Sequence, residues 1–242
     1  MRGIRRFFLS LNTTVSVFLV FIVLAFSGSL SLVHNLAFFS GVDDVPLFRW
    51  LVASGDPGRT WWIYAMIVTL GVLAVNTIFC TVEGVLKRFD GNRLMLKLSP
   101  QIMHIGVLFI MLGHLLTASV GFKTDLNIAK GEQKQVTGDI AVSVEDIKVR
   151  TDPNGYSTSW EAKVAWLEKG QKKYEGSIRP VHPLYFGQFG LYTKAVTTEP
   201  QSAVLIRVCR DPGALWALAG GIIFSLGGIG FIYGRFGAGF AG

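Results

Sequence analysis

Two histidines lie within one long apolar stretch of this 242-residue chain. His104 and His114 belong to residues 101–122, QIMHIGVLFIMLGHLLTASVGF, which contain no Asp, Glu, Lys or Arg. As a helix this stretch is long enough to cross about 30 Å of hydrocarbon. Polar side chains in such helices tend to face a bundle interior, a water path or a cofactor. Because neutral imidazole is a good ligand for haem iron, both histidines are candidate haem ligands; a helix-packing hydrogen bond is the alternative for each.

The spacing of the two histidines restricts the kind of site that they can form. Ten helical residues separate the rings by about 15 Å along the axis and by roughly 80° in azimuth, so they cannot bind opposite faces of one iron. No other predicted membrane helix carries a histidine at the depth of His104. Within this chain, His34 and His114 remain as a possible pair of ligands, although they too differ in their depth in the membrane. If His104 is an axial ligand, we expect its partner to come from another polypeptide.

The elements that would position these histidines are membrane helices. Half of the residues are apolar and only 16% are charged, which is a membrane composition. Four stretches are long and apolar enough to span, and the first is longer than a signal-peptide core, so we interpret it as an uncleaved anchor. The predicted helices cover residues 13–33, 61–82, 101–122 and 213–234.

The distribution of basic residues predicts the orientation. Lysines and arginines concentrate in the N-terminal tail, in the loop between the second and third helices, and after the fourth helix. The positive-inside rule then places both termini in the cytoplasm of a multi-pass inner membrane protein. The formal charge of +7 reflects these flanks, and we expect no nucleic-acid partner. The residues concerned are Arg2, Arg5, Arg6, Lys87, Arg88, Arg93, Lys97 and Arg235.

Between the third and fourth helices the hydrophobic pattern becomes alternating. Residues 140–144 and 160–166 place apolar side chains on one side, and the Asp-Pro and Asn-Gly steps of 151–157 favour a turn. We predict an α+β membrane protein: a membrane domain of residues 1–122, a mostly antiparallel β domain of about six strands at 123–212 on the outer, periplasmic side, and a fourth helix with a tail at 213–242. The β domain has one histidine, His182, and no catalytic motif, so we interpret it as a docking module.

Several segments in this order resemble the ResB (CcsB) family of cytochrome c biogenesis proteins, the partners of CcsA in System II. The resemblance covers most of the chain, although many family members have a larger outer domain. The segments that carry it are SLNTTVSVFLVFIVLAFSGSL, WWIYAMIVTLGVLAVNTIFCTVEGVLKR, HIGVLFIMLGHLLTASVGFKTDLNIAKGEQ, VHPLYFGQFGLYTKAV and DPGALWALAGGIIFSLGGIGFIYG.

This resemblance implies a haem-handling membrane subunit of a cytochrome c synthase, non-catalytic or co-catalytic. Haem b, held transiently with a CcsA-like partner, would be passed to apocytochrome c, with a thioredoxin-like reductant on the outer side. His104, at the family's histidine-glycine step, is the implied axial ligand to the haem iron, and His114 is a secondary candidate. His182, Pro183 and Tyr192 lie in the segment implied for partner docking.

Two other functions remain open from the sequence. The chain could be the membrane anchor of an electron-transfer complex that binds haem b permanently, or a scaffold that assembles membrane proteins without haem. Charge-relay transport is disfavoured, because the spans contain no carboxylates and no lysine or arginine.

Overall fold

The computed structural model describes residues 7–88, 94–153 and 157–236. It divides into two compact units. The first contains Met1–Val42, Phe48–Ser119 and Gly213–Gly242, and the second contains Asp43–Leu47 and Val120–Pro212. Of the residues that predicted the orientation and the turn, Arg2, Arg5, Arg6, Arg93 and the Asn154-Gly155 step lie outside the described residues.

The first unit is helical, and four of its helices are long and apolar enough to cross a membrane, as predicted. The candidate spans are Leu11–His34, Pro57–Leu86, Leu98–Val120 and Ala214–Arg235. The described helices are α1 Leu11–His34, α2 Leu36–Phe39, α3 Leu47–Ser54, α4 Pro57–Arg88, α5 Leu94–Val120 and α6 Ala214–Phe236.

Helices α4 and α5 begin earlier in the chain than predicted. Helix α4 begins at Pro57, because proline suits the first helical position and the Asp56 carboxylate accepts a hydrogen bond from the Arg59 amide at 3.1 Å. Helix α5 begins at Leu94 and continues through Pro100, ahead of the predicted start at 101. It ends at Val120, and Phe122 already belongs to the first strand.

Helices α1 and α4 are joined by polar contacts at one end and by a close approach at the other. Asn76 is buried; its amide donates to the Phe8 carbonyl at 2.5 Å and accepts from the Thr14 hydroxyl at 3.0 Å. Toward the other end of α1, the indole of Trp62 fills the space that a side chain at Gly28 would need. These contacts fix the register of the two helices.

Helices α5 and α6 pack antiparallel along a seam at which glycines let the two backbones approach. On α5 the contacting positions alternate in steps of three and four, as in a heptad pattern. A Cβ added to Gly106 would lie 2.5 Å from the Phe224 nitrogen, and one added to Gly220 would lie 2.6 Å from the Gly106 oxygen. The backbones are therefore in direct contact. The seam consists of Ser99, Met103, Gly106, Ile110, Gly113 and Thr117 on α5, of Gly213 just before α6, and of Ala217, Gly220, Phe224 and Gly227 on α6.

The second unit is an antiparallel β sandwich. The described strands form two four-stranded sheets, with the orders β1-β8-β7-β6 and β2-β3-β4-β5. Their buried side chains, including Ile128 and Ile206 from one sheet and Val142 and Val164 from the other, form a single core. The strands are β1 Phe122–Ala129, β2 Gln133–Thr137, β3 Ile140–Thr151, β4 Ser157–Glu168, β5 Gln171–Ile178, β6 Leu184–Phe186, β7 Phe189–Thr197 and β8 Ala203–Arg210.

The alternating patterns used to predict strands correspond to this core. Val142, Val144, Ala162 and Val164 are buried, as the alternation predicts. The sandwich has more than the six strands expected, because β2 is largely exposed and polar and β6 has only three residues. Neither shows the apolar alternation from which a strand is predicted.

Candidate functional site

His104 lies on α5, away from the seam with α6. At 100° per residue, its side chain is about 140° around the helix from the centre of the seam. The residue is half-buried, and its Nδ1 atom is buried with no hydrogen-bond partner among the described residues. An unpaired polar atom inside an apolar helix bundle is costly, so this nitrogen is a feature that packing alone does not explain.

Gln101 lies one turn before His104 on α5. It is 5% exposed, its side chain packs against Gly84 of α4, and its Oε1 atom is buried without a partner among the described residues. Sequence reasoning missed this residue. The signal was available, because a glutamine three positions from a histidine in an apolar helix shares part of its face.

His114 occupies a different environment from His104. It lies on the same helix, about 60° around from the centre of the seam, and it is exposed. His34, at the end of α1, is also exposed, and its Nδ1 atom lies 2.8 Å from the carbonyl oxygen of Leu30. Of these three histidines, only His104 has a buried nitrogen without a partner.

The residues suggested for docking lie around β6 and β7. His182 is exposed and pairs with Arg179 in an isolated bridge. Leu184 pairs with Leu191, so continuing that register places Pro183 opposite Tyr192. The Tyr192 hydroxyl lies 3.1 Å from that of Tyr185. This hydrogen bond, together with partial burial, raises the pKa of Tyr192 to about 12.

The donor set of the described residues limits which groups the chain could hold. No group of three or more His, Cys, Asp or Glu side chains is close enough to bind a metal ion in the described ranges. A haem needs only one or two axial side chains and an apolar surround. His104, with its orphaned nitrogen on an apolar helix, fits that smaller requirement.

Comparison with known proteins gives one family match. The model of the ResB-like family matches residues 94–204, from α5 into β8. No curated protein matches the sequence. A solved structure titled "Cytochrome c Heme Lyase CcmF" aligns with 13% identity and a TM-score of 0.46. The alignment covers 69% of this chain and 30% of that one, and the similarity is too low to carry an argument.

The matched residues contain His104 and the sandwich strands β1 to β7, and the chain has four long apolar helices. The similarity to the ResB-like family extends over somewhat less than half of the chain, which also has the four long apolar helices of a multi-pass membrane protein.

Proposed function

We propose that this chain is the haem-handling membrane subunit of a System II cytochrome c synthase. With a CcsA-like partner it helps to bind haem, to move it across the membrane and to deliver it to apocytochrome c. The observation that carries the proposal is the buried, unpartnered nitrogen of His104 on an apolar helix.

His104 would hold the haem through its imidazole. The haem, of the b type, is the cargo and supplies the iron that an imidazole nitrogen can ligate. The apolar residues of α5 exclude water, and Gln101 on the adjacent turn is placed to orient a polar group beside the ring. The chain offers one such histidine, so the second axial ligand would come from the partner subunit.

The β sandwich would serve the outer steps of the process. His182, Pro183 and Tyr192 form its proposed docking region for the partner or the apocytochrome, and a thioredoxin-like reductant would keep the acceptor thiols reduced. Thioether formation is accelerated mostly by holding the reacting groups in the right position. We therefore propose a non-catalytic or co-catalytic role for this chain, in the inner membrane, with both termini cytoplasmic and the sandwich periplasmic.

A pyridine-haemochrome spectrum tests the proposal. The chain is purified with its CcsA-like partner as wild type, His104→Ala and His114→Ala. We expect haem b in the wild type, loss of most of it in His104→Ala, and little change in His114→Ala, because the exposed His114 ring lies on another side of the helix.

Other outcomes would favour the other functions. Equal haem in wild type and His104→Ala would make His104 a packing residue and remove the proposed site. Haem that stays bound without any CcsA-like partner would favour an electron-transfer anchor. The absence of haem from every preparation would favour a scaffold.

A further inference from the structure

The pairing of β4 with β5 ends before β4 does. The last pair is Ala162 with Ile178, after which the chain turns through Arg179 and His182. Residues 157–161 of β4 continue to pair with β3 on their other side. In the described part of the sandwich, no strand pairs with this edge of residues 157–161.

A cavity of about 510 Å³ lies at this unpaired edge. Its volume is within the range of roughly 300–1,000 Å³ that is usual for ligand sites. We call it the β4 cleft. It is lined by Lys148, Arg150, Thr158, Ser159, Trp160, Glu161, Arg179, Pro180, Val181 and His182.

The lining of the β4 cleft is predominantly cationic. It contains Lys148, Arg150 and Arg179 against one carboxylate, Glu161. Arg179 lies 3.1 Å from the Glu161 carboxylate, so these two charges largely compensate each other. Lys148 and Arg150 are both exposed and leave the cleft with a positive excess that favours an anionic ligand.

The geometry of β3 gives the spacing of the anionic groups. Lys148 and Arg150 are two residues apart on one strand, so they point to the same side and lie about 7 Å apart along it. Acidic residues at alternate positions of an extended peptide are also about 7 Å apart and point to the same side. The main chain of such a peptide could pair with the open edge of β4, as in strand addition.

Apolar groups in the lining complete the cleft. The Trp160 indole nitrogen donates to the Thr193 hydroxyl at 2.6 Å. This hydrogen bond holds the indole ring in place in the lining of the cleft. Val181 is 93% exposed and has a φ of 58°, a conformation that is strained for a β-branched residue. Its side chain is available to an apolar residue of the ligand.

We infer that the β4 cleft binds an extended acidic peptide segment, which adds as a strand to residues 157–161 and places alternate carboxylates on the face of the sheet that carries Lys148 and Arg150, with β4 between them. This interaction goes beyond the proposed haem site and does not depend on His104.

Fluorescence anisotropy on the full chain in detergent tests the inference. The probe is a labelled Glu-Val-Glu-Val-Glu peptide, compared with the same peptide N-methylated at alternate amides. We expect the double variant Lys148→Glu, Arg150→Glu to bind the probe at least about ten-fold more weakly, because charge reversal turns attraction into repulsion. Lys173→Glu, a single charge reversal of the same kind at an exposed position outside the cleft, should bind normally.

Strand addition also requires that the N-methylated probe binds weakly and that added salt weakens the unmodified probe. Equal binding of both probes, equal binding by the double variant, or no binding at all would overturn the inference. Arg150→Gln, a milder change, should give a smaller loss if the double variant misfolds. The haemochrome spectrum of the cleft variants should be unchanged, so that failure here is distinguishable from failure of the haem proposal.

Discussion

At the scale of single residues, His104 differs from the other histidines of α1 and α5 because its Nδ1 atom is buried and has no hydrogen-bond partner among the described residues. His34 makes a hydrogen bond to its own helix, and His114 is exposed. The sequence could point to His104 because a polar residue in an apolar helix needs a reason. It could not show that Gln101 is also buried and unpartnered, since that depends on the contact with Gly84.

The Tyr185–Tyr192 pair leads to a pH-dependent prediction. The hydrogen bond with Tyr185, which the neutral Tyr192 hydroxyl can donate, and partial burial raise the pKa of Tyr192 to about 12. The neutral phenol is therefore favoured in the folded state, and its contribution to stability is lost as the pH rises from about 10, the unfolded value, through 12. Tyr185→Phe should lower the pKa of Tyr192 toward about 10.

An absorbance titration at alkaline pH measures this change, with Tyr192→Phe used to identify the step that belongs to Tyr192. Tyr174→Phe is the control, because Tyr174 is exposed and stacks on Phe186 instead. An unchanged Tyr192 step in Tyr185→Phe would contradict the assigned cause.

At the scale of elements, the α5–α6 seam predicts a sharp difference between two glycines. A Cβ at Gly106 would meet backbone atoms of α6, whereas one at Gly221 would have nothing within 4 Å. Gly106→Ala should destabilise the helical unit by about 1–3 kcal/mol through overpacking. Gly221→Ala should be neutral or slightly stabilising, because alanine is the better helix former.

Unfolding by sodium dodecyl sulfate in mixed micelles, followed by circular dichroism, compares the two variants. If both behave alike, the close approach of α5 and α6 is wrong.

The elements also show what the sequence could and could not predict. Length and hydropathy are sufficient for the four long helices, because each apolar stretch must satisfy its own backbone. The sequence gives little indication of the strands β2 and β6, because they carry little apolar alternation. The partner of the Gly106 face could not be predicted, since glycines on several helices could have met there.

At the scale of the whole molecule, the proposed delivery of haem depends on the side of the membrane on which the sandwich lies. If all four long helices span, α5 and α6 bring the chain to and from the sandwich on one side of the membrane. The basic residues predict that this side is periplasmic. A cysteine at the exposed Gln201, in a Cys80→Ser, Cys209→Ser background, should therefore react with a membrane-impermeant maleimide added to cells with a permeabilised outer membrane. Asn92→Cys, in the same background, should react only after the inner membrane is disrupted. The reverse pattern would place the sandwich in the cytoplasm, where it could not receive apocytochrome c, and would overturn the proposed delivery of haem.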